Sequence, residues 1–469
     1  MSYGIMGGRG GETWLHTFVT TRDVRVLVFD GMSAALGQSG TLDSQMVFLY
    51  GEVKDGNGRM GPVFDEYTRA RDLCAWAEEL EGVRIEGFVR MNTGFEMAWC
   101  DFENTESWKL VSKLNVTAPV ARGAREEEEE EEDEDSPPPA PDSPRDGPPR
   151  DGPPGDDPPR RPGDGLRPPR RPGHGYGRPG GGIPWANAAG WEWIRSATWH
   201  YSLSPESRVT PDFCRFFTFY SPSFSSFPNN LSTRKNSSHR LTNVSKADAD
   251  AFKTEIGESL LSTMPCSGLD WRRVTQDIID RYGGRIKELS VVLGTSTTNT
   301  TEKFEKVGKL AFAGVMPYVD DSQRAGAEER CTHTFTGLIP EELLSPQEAL
   351  LRDTVEAVLG RICRLFLDLY FEYVLLQLPD EDTMRKWGQD VEALKAWLDW
   401  DMWRMCEERC AWDEVCAMAL WPVLGLFGDE EWSKPRCINS STVERRGRRS
   451  RFSPPRDDGQ PDVWAVLDW

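Results

Sequence analysis

Between residues 119 and 183 the chain has no segment that could bury itself. Ten acidic residues run unbroken from Glu126 to Asp135, and the sequence goes on SPPPAPDSPRDGPPRDGPPGDDPPRRPGDGLRPPRRPGHGYGRPGGG. Pro and Gly dominate, and Arg and Asp alternate in short repeats. Such a stretch cannot offset its ordering entropy by burial. It reads as a disordered acidic and Pro/Gly/Arg-rich linker, stiff and partly extended. PPRRP could also serve as a polyproline ligand for an SH3-like groove, but a spacer needs no partner and is the simpler reading. Whatever folds must fold on either side of this segment, and 469 residues are enough for more than one unit.

Upstream, residues 14–118 predict a small α+β domain. LHTFVTT and VRVLVF have the β-branched, alternating character of strands, and QMVFLYGEV reads as a third. FDEYTRARDLCAWAEEL predicts an amphipathic helix, with Phe64, Tyr67, Leu73, Cys74, Ala77 and Leu80 near one face. VRIEGFVRM and FEMAWCDF flank Asn92-Thr93-Gly94, a hairpin turn, and LVSKLNVTA closes the unit. Downstream, residues 185–405 predict a mainly α-helical domain. Val274, Ile278, Tyr282 and Ile286 form one helical stripe, and Val391, Leu394 and Leu398 another. Pro346 and Pro379 punctuate a long helix. Its most apolar part, Val355 to Leu378, carries Arg361, Arg364, Asp368 and Glu372, so it reads as a buried helix and not a transmembrane segment. A Cys-rich segment, 406–438, and a disordered basic tail, 439–469, complete the chain. The fold class is therefore α+β.

The formal net charge is -21, from 55 Lys and Arg against 76 Asp and Glu. That balance argues against nucleic acid as a partner, since phosphates need a basic face. It argues equally against an anionic membrane surface. Six asparagines begin an Asn-X-Ser/Thr sequon: Asn115, Asn230, Asn236, Asn243, Asn299 and Asn439. Chance would give about one or two at ordinary Ser and Thr frequencies. The excess points to N-glycosylation and passage through the secretory pathway. The ten cysteines form no CxxC pair. Cys74 and Cys100 could pair within the first domain. Cys406, Cys410, Cys416 and Cys437 are separated by three, five and twenty residues. That spacing suits disulfides and not a zinc knuckle, so no metal and no cofactor are expected. The first residues show no apolar signal-peptide core, which leads us to expect that Met1 is not the natural start. RRGRRSR (Arg445 to Arg451) is a processing site in a secretory chain and a nuclear import signal in an intracellular one.

Catalytic patterns are incomplete. The strand ending at Phe29-Asp30-Gly31 resembles a phosphatase nucleophile, but Met32 stands where a second acid belongs. Ser39 in GQSGT lacks the glycine of a nucleophile elbow, which is Thr41 here. His16, His200 and His333 could act as bases, and none has a partner at a readable spacing. The stronger enzymatic reading pairs carboxylates among Asp30, Asp43, Glu96 and Asp101. The plainer reading has Asp30 and Asp43 capping turns and the other two facing water.

Five blocks carry a resemblance: HTFVTTRDVRVLVFDGMSAALGQSGTLDSQ, VRIEGFVRMNTGFEMAWCDF, LVSKLNVTAP, DWRRVTQDIIDRYGGRIKEL and CAWDEVCAMALWPVLG. Together they resemble an uncharacterised family of fungal secretory-pathway proteins. The resemblance implies a signal sequence in full-length members and no known catalytic residues. The sequence thus predicts a secreted or cell-surface glycoprotein acting in binding or scaffolding, with a protein or cell-wall partner. The alternatives are a luminal or secreted hydrolase using the first-domain carboxylates, and a cytoplasmic or nuclear scaffold.

Overall fold

In a computed structural model the described residues are 14–29, 43–53, 66–91, 95–116, 191, 195, 198, 209–226, 241, 244–296, 299–320, 323–376, 378, 380–417 and 435–441. The linker, most of the basic tail, Asp30, the 92–94 turn and three sequons (Asn230, Asn236, Asn243) lie outside them. Two units emerge: Met1–Phe18 with Leu110–Glu192, and Val19–Lys109 with Trp193–Trp469.

Among the described residues, strand β1 (Trp14–Thr20) pairs with β5 (Trp108–Asn115) in a two-stranded sheet. Lys113 Nζ lies 4.6 Å from the Trp14 ring centre, and Trp14, Leu110 and Leu114 are all exposed.

A three-stranded sheet orders β2 (Val26–Phe29), β3 (Gly87–Met91) and β4 (Phe95–Trp99). β2 and β3 are parallel, with Val26 opposite Gly87 and Phe29 opposite Arg90. β3 and β4 form the expected antiparallel hairpin. A parallel pair needs a crossover, and here it carries helices α1 (Asp43–Tyr50) and α2 (Glu66–Glu78). Two expectations fail in this crossover. QMVFLY is not a strand but most of α1, because Gln45, Met46, Val47 and Phe48 are successive buried residues. A short apolar run buried on every side has no period that separates helix from strand. Tyr67, placed on the apolar face of α2, is 74% exposed, while Arg69 is buried.

The core against this sheet is assembled from distant parts. Phe29, Phe48, Leu73, Trp76, Ile85 and Phe88 pack in one buried cluster with Phe219, Phe224, Leu241, Phe252 and Ile256. Phe219 and Phe252 stack at 3.9 Å between ring centres. Helix α3 (Lys246–Leu261), capped by the Ser245 hydroxyl accepting from Asp248 N–H, carries Phe252 and Ile256 into it.

The remaining helices are α4 (Trp271–Gly294), α5 (Thr300–Val315), α6 (Ala327–Thr332), α7 (Pro346–Leu376) and α8 (Glu381–Leu398). Each of α4, α5 and α8 begins at an Asp or Asn whose side chain accepts a backbone N–H: Asp270, Asn299 and Asp380. α7 begins with a reciprocal box. Glu348 N–H donates to Ser345 Oγ at 3.1 Å, and Ser345 N–H donates to Glu348 Oε2 at 3.2 Å. The predicted stripe on α4 points inward, with Tyr282 and Ile286 wholly buried. α5 lies close against α7 because Gly308 and Gly314 face it. A methyl at Gly308 would sit 2.5 Å from the Tyr373 ring, and one at Gly314 2.3 Å from that of Phe366. No helix among the described residues is long and apolar enough to cross a membrane. Strands β6 (Val415–Ala417) and β7 (Arg436–Ile438) form a short antiparallel ladder at the Cys-rich end.

Candidate functional site

Among the described residues of the first domain, a buried charge cluster is built around a residue that nothing in the sequence singles out. In VRIEGFVRM, alternation with Val83 and Ile85 would place Glu86 toward water. Instead Glu86 sits just before β3, with its side chain 3% exposed. Its carboxylate accepts from the Arg22 guanidinium and from Arg25 N–H at 3.1 Å, and it lies 3.5 Å from Arg84 Nε and Ser107 Oγ. Taking a carboxylate out of water costs several kcal/mol unless such partners replace the solvent. The cluster therefore ties the segments 22–25, 84–86 and 107 into one surface.

Beside it opens a cleft of about 230 Å³, lined by Arg84, Glu86, Trp99, Asp101, Asn104 and Ser107, next to the Cys74–Cys100 disulfide. Trp99 stacks on Trp108 at 4.6 Å, and Phe102 closes on Trp108 at 4.4 Å. Phe102 is 59% exposed. The loop that shapes the rim is held by two local turns. Asp101 Oδ1 accepts from Glu103 N–H, and Asn104 Oδ1 accepts from Glu106 N–H, each at 3.0 Å. Those turns use neither Asp101 Oδ2 nor Asn104 Nδ2. The lining thus offers a carboxylate oxygen and an amide donor, and the exposed Phe102 follows Asp101 in the same loop just outside that lining, a set suited to a small polar ligand with one apolar face.

The described carboxylates predicted for catalysis, Asp43 and Asp101, are held in different places for different purposes. Asp101 lines the cleft and holds a turn. Asp43 is buried at the start of α1, where its Oδ2 accepts from Leu241 N–H at 2.9 Å, a bond spanning 198 positions. It joins the sheet domain to the segment entering α3. Glu96 stands on β4 opposite Arg90. Asp30 lies outside the described residues. His333 does find a partner, Glu356 Oε1, at 3.1 Å from Nδ1, and Thr336 Oγ1 donates to the same oxygen at 2.6 Å. Glu356 lies 23 positions away, two elements on, so no local spacing announced it.

All ten cysteines are paired. The bonds are Cys74–Cys100, Cys214–Cys266, Cys331–Cys363, Cys406–Cys416 and Cys410–Cys437. Cα separations run from 5.3 Å to 6.0 Å, within the range a disulfide requires. The sulfurs of Cys406, Cys410 and Cys437 lie within 4.8 Å of one another. As thiolates they could ligate a soft divalent ion; as disulfides they cannot. Of the sequons, Asn115 and Asn299 are exposed and Asn439 is half-buried.

Residues 6–122 match the family described as the YPL277C N-terminal domain. That segment contains the Glu86 cluster, the cleft and Asp43. Two uncharacterised proteins of Saccharomyces cerevisiae, YPL277C and YOR389W, are 34% and 33% identical to this chain over 121 and 120 residues. Each alignment takes in 24% of this chain, and 23% and 18% of the respective yeast protein, so less than a quarter of either relative is matched. The likeness supports an uncharacterised fungal family and assigns no activity. No solved structure matches the chain.

Proposed function

We propose that this protein is a disulfide-stabilised glycoprotein of the fungal secretory route or cell surface that acts by binding. The observation that carries the proposal is the pairing of all ten cysteines. Reduced thiols prevail in the cytosol, and chains with many structural disulfides belong to oxidising compartments. Six sequons agree with that compartment. The cleft beside Trp99 is the binding surface in this reading, and a cell-wall polysaccharide fits its chemistry. A sugar ring would lay its apolar face on Phe102 and exchange hydrogen bonds with Asp101 and Asn104.

Two experiments test it. Endoglycosidase treatment of the protein from a fungal host, with thiol alkylation before reduction, should give a mobility shift and no alkylated cysteine. An unshifted band with ten reactive thiols would rule the compartment out. Pull-down on insoluble β-glucan and on chitin should retain the protein, and Phe102→Ala with Asn104→Ala should lower retention about tenfold, the size of a lost contact worth 1.4 kcal/mol. Equal retention of variant and parent would remove the cleft from the proposal.

A further inference from the structure

The two disulfides at the Cys-rich end stand side by side. Cys416 on β6 and Cys437 on β7 are direct partners across the antiparallel ladder, so their side chains leave the same face, with Cβ atoms about 5 Å apart. Cys416 is bonded to Cys406, and Cys437 to Cys410, four positions further along the chain than Cys406. One result is a third sulfur beside a disulfide. Cys406 Sγ lies within 4.8 Å of both Cys410 Sγ and Cys437 Sγ. Among the described residues, no other disulfide has a third cysteine sulfur within that distance of both of its own.

The four cysteines are only half-buried, whereas Cys331 and Cys363 in the bundle are wholly buried. Solvent therefore has access to the Cys-rich end that it lacks at the bundle disulfide. Thiol–disulfide exchange needs a thiolate beside a disulfide sulfur, and a second sulfur that can leave. Cys406 meets both conditions once its own bond opens, with Cys410 or Cys437 as the leaving group.

We infer that Cys406, Cys410, Cys416 and Cys437 form a thiol–disulfide exchange site whose reactant is a small external thiol. The external thiolate attacks Cys416 Sγ, forms a mixed disulfide there and releases Cys406 as a thiolate. Cys406 attacks Cys437 Sγ, forming Cys406–Cys437 and releasing the Cys410 thiolate. Cys410 then attacks Cys416 Sγ, forming Cys410–Cys416 and returning the external thiol. Two protein disulfides are present before and after, so the sequence consumes neither oxidant nor reductant. Trp412, 97% exposed, lies between Cys410 and Cys416. The exchange shortens the cross-linked loop that carries it, from the ten positions of Cys406–Cys416 to the six of Cys410–Cys416. The site thereby changes how an exposed aromatic side chain is presented. This rests on the oxidised pairing described above and adds an activity to one part of it.

The test uses full-length protein from a fungal secretion host. Cys416→Ser leaves Cys406 unpaired beside the Cys410–Cys437 bond. The variant is held in mildly alkaline buffer, then quenched in acid, which halts exchange because only the thiolate attacks. It is next alkylated in denaturant and digested. Mass spectrometry should find the label on Cys410 or Cys437, with Cys406 cross-linked, in about half of the molecules, as for pairings of similar stability. Cys363→Ser, which leaves Cys331 with no third sulfur nearby, should keep its label on Cys331 alone. The parent needs no variant to fold. With a catalytic amount of reduced glutathione it should yield Cys406–Cys437 and Cys410–Cys416 cross-links, and without glutathione neither. Label on Cys406 alone in Cys416→Ser, with the parent's pairs unswapped by glutathione, would overturn the exchange and leave the paired cysteines standing. Labelling of all ten cysteines in untreated parent, with no cross-link, would overturn the oxidised reading with it.

Discussion

The sheet-containing core and the helical core are built from residues at very different separations along the chain. The sheet core joins Phe29, Phe48, Trp76 and Phe88 to Phe219, Leu241 and Phe252, on opposite sides of the acidic, Pro-rich linker. The helical core draws its buried residues from one stretch, Trp271 to Leu394. The first must close a long loop before its contacts form, while the second gains from neighbours in sequence. Fixed bonds follow the same division. Asp43 reaches 198 positions to Leu241, whereas the bundle's own disulfide, Cys331–Cys363, spans 32.

Phe252→Ala should break the sheet core most severely. It empties a ring stacked on Phe219 and 5.5 Å from Phe224, and a buried Phe→Ala change costs about 3 to 5 kcal/mol. Hydrogen exchange should then accelerate in β3 as well as in α3, although β3 lies on the other side of the linker. Acceleration confined to α3 would mean that the two sides are not one core.

Replacing both Cys331 and Cys363 by Ala should weaken the bundle by about 3 to 4 kcal/mol, the chain-entropy value for a loop near thirty residues. The loss, read from denaturant melts, should leave the sheet-core amides protected.

Glu348→Gln should cost about 2 kcal/mol near neutral pH, by weakening a buried, charge-assisted set of hydrogen bonds. The set comprises the Ser267 hydroxyl and N–H, Ser345 N–H and Trp271 Nε1–H. Burial raises this carboxyl's pKa, but those donors together outweigh it and hold the pKa below the usual glutamate value. A depressed folded-state pKa contributes stability above the unfolded value, and that contribution fades as pH falls through the folded one. The parent should therefore lose stability on acidification below the ordinary glutamate range, and the Gln variant should lose less.

Asp270→Ala should have the smallest effect, about 1 kcal/mol, from loss of the cap that accepts Arg272 and Arg273 N–H at the start of α4. A thermal melt would detect it against Asp270→Asn, which keeps the cap.

The same contrast explains what could be read from the sequence. Helices α4, α5, α7 and α8 carry periodic apolar stripes and local caps, and the long α7 also carries Pro346 at its start. Those signals lie within a few residues of the structure they specify. α1 reads as a strand in the sequence because Met46, Val47 and Phe48 are all buried, so no polar position marks a period. Glu86 and Arg69 are charged residues inside the sheet domain, and the environment that accepts Glu86 comes from Arg22 and Ser107, 64 and 21 positions away. The cleft was only partly legible. Asp101 stands out in the sequence by its charge, but Phe102 and Asn104 matter through a loop geometry that no spacing rule encodes. Cys74 with Cys100 could be guessed within one domain, while Cys214–Cys266 spans 52 positions and carries no local mark.

Binding in an oxidising compartment requires paired cysteines, so disulfide mapping is the direct measurement. Protein purified from a fungal secretion host, alkylated without reduction and digested, should yield no alkylated cysteine. Mass spectrometry should find five cross-linked pairs: Cys74–Cys100, Cys214–Cys266, Cys331–Cys363, Cys406–Cys416 and Cys410–Cys437. Ten alkylated cysteines in folded protein would contradict it.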